Sequence, residues 1–417
     1  DCISALNYEL PEISVGYETQ SVNDGNAENF NFKNNINGFN VNFGYKNIDF
    51  GNYDIPSGAI LHEEEDHDDH DEDEHHDEDM GFLNNSDYAV EATKFGISKV
   101  GDWGYVGFSV DNLESVYGIP FHGDEHGDEH GDEHGDEHGD EEEHDEHGEE
   151  RIFSTTDSES FTIKGSYNIN GSLINKIDFN YRDSDYSLTE AHEEEEHHEE
   201  EEHDEEEEHE EHAPTVFMNE AVEYGATFDI SNDSSTQKVV VNFVDEDNSI
   251  VGEEAFMNPA NSKEFTIGYY LSKDLGIYDL DIGFRHDQIE RSGSVSEEEH
   301  GDHHDDDHGD DHGDEHGDEH GEVDYYNIDD STNSFAVTLG RSLTDNLGVS
   351  LGYASVERLP SSIELFMNGP HMATGRFEVG DPNLNSETSN NFDITFNFDN
   401  GDFYAYASFY ITDVDNY

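Results

Sequence analysis

A single cysteine, Cys2, serves a chain of 417 residues, so no internal disulfide can form and a thiolate zinc cage is excluded. Basic residues are scarce as well. Only 16 Lys and Arg stand against 106 Asp and Glu, for a formal charge of -90. A surface of that sign repels a phosphate backbone, which rules out nucleic acid as a partner. It raises the local concentration of cations instead. No apolar run approaches the roughly 18–20 residues that a membrane helix requires. No long segment carries helical periodicity. No signal peptide is visible and the first residue is Asp rather than Met, so a processed chain or a fragment is expected. No nucleophile constellation, phosphate loop or spaced zincin motif is found, and the chain is not read as an enzyme.

What the chain has in excess is confined to four tracts, residues 62–79, 122–150, 190–212 and 297–324. They hold 25 of the 27 histidines and more than half of the acids, with no Lys or Arg. The first carries His62, His67, His70, His75 and His76. The second carries His122, His126, His130, His134, His138, His144 and His147, most of them in repeats of "HGDE". The third carries His192, His197, His198, His203, His209 and His212, and the fourth His300, His303, His304, His308, His312, His316 and His320. Four-residue spacing would align histidines on a helix. A glycine in every repeat and dense like charge oppose one, so disorder is expected.

Between the tracts the pattern is all-β. "FNVNFGY" (39–45), "IDFNY" (177–181), "FDITFNF" (392–398) and "YAYASFY" (404–410) alternate with period two, one face apolar and one polar. Such segments predict fifteen strands, near 11–20, 26–34, 38–50, 87–100, 103–115, 152–169, 172–188, 215–231, 236–249, 263–273, 276–290, 328–343, 346–357, 387–399 and 402–414. Tyr and Phe gather near strand ends, as at a membrane interface. Short turns rich in Gly, Asn and Asp occur at 100–103, 170–173, 232–235, 273–276, 343–346 and 399–402. They alternate with long connections: the four tracts, 250–262 and 358–386. In an up-and-down antiparallel sheet, alternate connections share a side. All four tracts therefore leave from one side and the tight turns from the other. That is the asymmetry of an outer-membrane β-barrel, and with the strand lengths it weighs against a soluble sandwich. An odd strand count, and a chain that stops on a strand, predict missing strands.

The stretch "RLPSSIELFMNGPHMATGRFEVGDPNLNSETSNNFDITF" (358–396) resembles the late-barrel signature of TonB-dependent outer-membrane receptors, and "NGPHMATGRFEVGDPNL" within it is similar to the zinc-uptake, ZnuD-type members. "NYDIPSG" (52–58), "FLNNSDYAVEATKFGISKVGDWGYVGFSVDNLESVYGIP" (82–120) and "VGEEAFMNP" (251–259) fit the same subfamily in the same order. The resemblance implies an antiparallel up-and-down transmembrane β-barrel, here about fifteen of an expected 22 strands. It also implies an N-terminal plug, coupling to the TonB–ExbB–ExbD complex, and surroundings of outer-membrane lipid and lipopolysaccharide. Residues 1–10 lead straight toward strands, so residues 1–417 are read as a partial barrel domain without the plug. The expected function is uptake of a divalent metal, with the tracts outside the cell.

Neutral imidazole and carboxylate are good ligands for borderline divalent metals. A flexible ladder of them offers many weak, exchanging sites, suited to capture and hand-on. No resident cofactor is expected; Zn²⁺ is the expected cargo. That identity rests on the resemblance, because Cu²⁺ and Ni²⁺ would bind the ladder too and Ca²⁺ suits its carboxylates. A selective site calls for fixed residues, and the candidates are His371 in "GPH" and Glu253 and Glu254 in "GEEAF". The resemblance implies that a barrel Glu and a barrel His, here Glu253 or Glu254 with His371, meet a plug Asp to hold zinc. His286 in "FRHDQ" reads as a strand histidine facing the lumen. Two other readings stay open, a siderophore or haem receptor of the same fold and a secreted or surface acidic protein that buffers metal.

Overall fold

The computed structural model describes residues 2–56, 81–120, 151–169, 171, 173–193, 214–252, 255–296, 323–371 and 376–417. Its elements are β1 (Glu12–Gln20), β2 (Gly25–Ile36), β3 (Phe39–Phe50), β4 (Tyr53–Asp54), β5 (Phe82–Leu83), β6 (Tyr88–Gly101), β7 (Gly104–Gly118), β8 (Arg151–Asn168), β9 (Lys176–Glu193), β10 (Thr215–Asp229), β11 (Thr236–Val251), β12 (Ala260–Asp274), β13 (Asp279–Ser296), β14 (Val323–Thr344), β15 (Leu347–Arg358), α1 (Ser362–Phe366), β16 (Asn368–His371), β17 (Arg376–Val379), β18 (Glu387–Asp399) and β19 (Tyr404–Asp415). Fifteen strands form one antiparallel sheet whose spatial order is the chain order, as the alternation and turn chemistry predict. The remaining four make two ribbons, β4 with β5 and β16 with β17, which are too short to leave a period in the sequence. Among the described residues, β1 and β19 pair on one side only.

The registers sort the side chains cleanly. Phe43 pairs with Phe95 and Tyr224 with Phe243, so each stands on its partner's face, and two-residue alternation extends that face across the sheet. It carries Phe43, Phe95, Phe108, Phe161, Tyr224, Val241, Phe243, Ile267, Phe284, Phe335, Leu351 and Phe392. Rings of Phe95, Phe108, Phe161 and Tyr181 follow one another across four strands, with successive centroids 6.4 Å apart. Phe392 is 51% exposed, Phe284 44% and Leu351 43%, and an apolar face this continuous needs a non-aqueous neighbour. The opposite face carries Asn40, Ser98, Ser109, Asn242, Thr266 and Thr332. Toward the side of the long connections the apolar face gives way to acid: Glu159, Asp185, Glu220 and Asp247 stand directly opposite one another across β8 to β11. Like charges so placed repel, which marks where the apolar belt ends.

Several strands run further than the apolar alternation does. β9 reaches Glu193, β13 reaches Ser296 and β14 begins at Val323, so the sheet continues into the roots of the tracts. Backbone hydrogen bonding carries a strand past the point where its side chains turn polar on both faces. The tight side fits its turn chemistry: Asn37 and Gly38 have φ of 54° and 84° between β2 and β3, the positive pair a two-residue hairpin needs.

Two readings are corrected. Residues 2–8 do not lead straight into β1; they cross the polar face of β3 and β6. Ser98 Oγ donates to the Ser4 carbonyl at 2.7 Å and Asn40 Nδ2 to the Leu6 carbonyl at 2.9 Å, while Ile3 is 5% exposed. Gly96 permits this approach, because a Cβ there would collide with the Cys2 backbone. His286 pairs with Asn333 and alternates with Phe284 and Ile282, so it lies on the apolar face's side rather than the lumen's. Its Nδ1 is 3.0 Å from Asn333 Oδ1. The sequence reading missed this because "FRHDQ" straddles the point where the belt turns polar.

Candidate functional site

Two long connections on the tract side fold into one body. The first, 252–259, joins β11 to β12; the second, 359–386, joins β15 to β18 and contains α1, β16 and β17. The local sequence sets α1. Ser361 caps it in extended geometry and accepts from the Glu364 amide, while the Glu364 carboxylate accepts from the Ser361 amide at 2.7 Å. Arg358, at the end of β15, forks onto Glu364 at 2.8 and 3.0 Å and reaches Glu387 at 3.2 Å, which pins the helix to the start of β18.

The helix buries Leu365 and Phe366, each 1% exposed, among Phe256 and Met257 of the other connection and Ile250 and Ala260 of the strands that flank it. Phe366 stacks on Tyr326 at 6.2 Å and Phe256 meets Phe217 at 6.0 Å. The backbones then join. Met257 and Met367 form an antiparallel bridge, and the Asn368 amide donates to the Phe256 carbonyl at 2.7 Å. Two asparagines tie this unit to the end of β13. Asn258 Nδ2 donates to Ser296 Oγ at 3.0 Å and to the Ser294 carbonyl at 3.3 Å; Asn368 Nδ2 donates to the Ser296 carbonyl at 2.7 Å.

Below this cap the polar face is charged and paired. The Asp287 carboxylate, 4% exposed, accepts from Arg285 Nε at 2.8 Å and from Thr266 Oγ1 at 2.5 Å. Arg291 donates to Glu264 at 2.5 Å. A buried charge is tolerable only when matched in this way.

Glu364 is held at about 2, well below its ordinary 4.5, first by hydrogen bonds from Arg358 and then by those from Ser361, against the opposing effect of burial. Arg358 is correspondingly raised. Because the folded value lies below the unfolded one, this anchor is complete above pH 4.5 and is lost only as the pH falls from there toward 2. Acidification from pH 7.5 to 5 is therefore expected to leave the cap closed. Amide exchange at 361–369 checks this; cap amides that open above pH 5 would contradict it.

Of the residues singled out in the sequence, His371 has its backbone in β16, paired with Arg376. Glu253 and Glu254 lie outside the described residues, as do the histidines of the four tracts, save that the backbone of His192 lies in β9 opposite Ile152. Among the described residues no three His, Cys, Asp or Glu gather in metal-holding geometry. What the structure brings together is the pair of connections carrying "GEEAF" and "GPH". The resemblance had already put the two in one site, but nothing in the sequence showed a contact that joins them, and Asn258 and Asn368 were missed. The capping box "SSIE" was the one available signal for α1.

The chain matches the family described as TonB dependent receptor-like, beta-barrel, over residues 12–417. Among solved structures it is similar to the copper transporter OprC, at 10% identity and a TM-score of 0.65, covering 99% of this chain and 55% of that one. It is also similar to a double mutant of the Serratia marcescens hemophore receptor HasR, in complex with its hemophore HasA and heme, at 10% identity and a TM-score of 0.63, covering 97% and 54%. The FrpB iron transporter of Neisseria meningitidis (F3-3 variant) aligns at 10% identity with a TM-score of 0.58, covering 94% and 53%. The chain thus spans about half the length of the solved structures it matches.

Proposed function

The chain belongs to the family of TonB-dependent receptor β-barrels, proteins of the Gram-negative outer membrane that act as receptors and transporters, and from that premise we propose that its parent protein takes up zinc. The apolar belt then faces lipid, the long connections face the exterior, and energy reaches the barrel from the TonB–ExbB–ExbD complex. The tracts concentrate divalent metal at the mouth. Fixed residues in the cap select it.

One observation carries the selective site: the bridge that joins the "GEEAF" connection to the "NGPH" strand. The pairing of Met257 with Met367, and of the Phe256 carbonyl with the Asn368 amide, brings that connection beside the strand that ends in His371. His371 with Glu253 or Glu254 is the ligand pair this reading assigns. Imidazole with carboxylate suits Zn²⁺, and two protein ligands leave positions for others. No resident cofactor is needed for this role.

Uptake of radiozinc and of a ferric siderophore, measured side by side in zinc-starved cells with the full-length gene present or deleted, tests the cargo. Zinc uptake that depends on the gene and on the proton gradient is expected, with no change for the iron chelate. Gene-dependent iron-chelate or haem uptake without zinc uptake would assign the barrel to a siderophore or haem receptor instead.

A further inference from the structure

We propose that Asn258 and Asn368 are positioning residues, which fix the two cap connections in one register by hydrogen bonding both to the end of β13. The inference rests on the zinc reading above but adds residues to which no role has been given. Each amide group is placed where it does more than fill space. Asn368 uses its main-chain amide to hold the Phe256 carbonyl at 2.7 Å and its side-chain amide to hold the Ser296 carbonyl at 2.7 Å. It therefore joins three segments: the 252–259 connection, β16 and β13. Asn258 repeats the attachment from the other connection, to Ser296 Oγ at 3.0 Å and the Ser294 carbonyl at 3.3 Å. Both side chains converge on two residues, Ser294 and Ser296, at the end of a strand whose backbone is paired there with β14.

The apolar contacts alone leave the register free. Phe256, Met257, Leu365 and Phe366 form a greasy patch that tolerates sliding, since burial is not directional. A one-residue slip of the bridge between Met257 and Met367 would alter which residue stands opposite which and shift one connection along the other. Directional hydrogen bonds from two asparagines remove that freedom. Close packing assists: a Cβ on Gly369 would lie 2.8 Å from Phe256 Cα, so no larger residue fits there. In this account neither asparagine touches the metal. They hold the two connections that carry the candidate ligands, a role like that of outer partners around a metal.

The test uses the full-length receptor in zinc-starved cells. Asn368→Asp and Asn258→Asp keep size and shape but remove the Nδ2 donor. The double variant is expected to raise the zinc concentration at half-maximal uptake by about 10–100-fold, the usual cost of losing an outer partner, with the maximal rate per surface receptor little changed. Ser296→Ala removes one acceptor of Asn258 and leaves the carbonyl that Asn368 uses; it is expected to shift the same value far less. Receptor number is counted by surface immunoblot, and barrel integrity by heat-modifiable gel migration, so a folding defect cannot imitate the result. A double variant that takes up zinc with wild-type half-saturation, or one that loses maximal rate alone, would overturn the proposal. Failure of the wild type itself to take up zinc is a different outcome: it overturns the zinc reading, and the register claim is then read from amide exchange at Phe256 and Asn368. Exchange there must quicken in the double variant, and unchanged exchange would overturn it.

Discussion

Replacing His371 with alanine is expected to weaken zinc uptake by at least about 10–100-fold in half-saturating concentration, the range seen even when only an outer partner of a metal is lost. The same substitution at any one tract histidine, His130 for example, is expected to change little, because 24 further tract histidines remain. This contrast separates a fixed site from a brush. A flexible array of equivalent ligands degrades in proportion to the ligands removed, whereas a site of defined geometry fails when one member goes. Radiozinc uptake against concentration reads both. Equal small effects from His371→Ala and His130→Ala would mean that the tracts alone bind the cargo and that the cap is only a lid of packed chain.

The second large effect concerns the membrane. Val241 lies at the middle of the apolar stretch of β11, between Val239 and Phe243 on the same face, while Val240 points to the polar side opposite Gly268. An arginine at position 241 is expected to cost about 2–4 kcal/mol, the price of a cation at the bilayer midplane of a barrel. An arginine at position 240 is expected to cost far less, since Gly268 leaves room beside it. Heat-modifiable migration and urea unfolding of the receptor in lipid vesicles report the difference. Because the two positions are adjacent, strand propensity is common to both and only the facing differs. Equal costs would place both side chains in the same medium and contradict the assignment of faces.

How much of this could be read from the chain depends on the kind of signal. The fifteen strands were legible because period-two alternation and Gly/Asn/Asp turns are local properties, and β18 at Glu387–Asp399 coincides with its expected span. The sidedness of the tracts followed from counting connections, which needs topology but no contact. The strand ends were less legible. β13 and β14 extend to Ser296 and from Val323 through residues that are polar on both faces, where only the backbone ladder defines the element. His286 was assigned to the wrong face for the same reason. The candidate site was legible only in part. "GEEAF" and "GPH" could be chosen for their ligand chemistry, yet their meeting depends on a bridge between residues 110 positions apart, from Met257 to Met367, and no periodicity reports that. Nor could the sequence foretell that residues 2–8 fold back over Asn40 and Ser98.

The division of labour between brush and cap leads to one decisive experiment: the zinc held by the full-length receptor after all four tracts have been excised. Equilibrium dialysis against a competing chelator counts the ions that resist removal, and X-ray absorption reports their ligands. The account predicts one tightly held zinc with an imidazole nitrogen among its ligands, lost on His371→Ala. No tightly held zinc in the excised receptor, or one that survives that substitution, would contradict it.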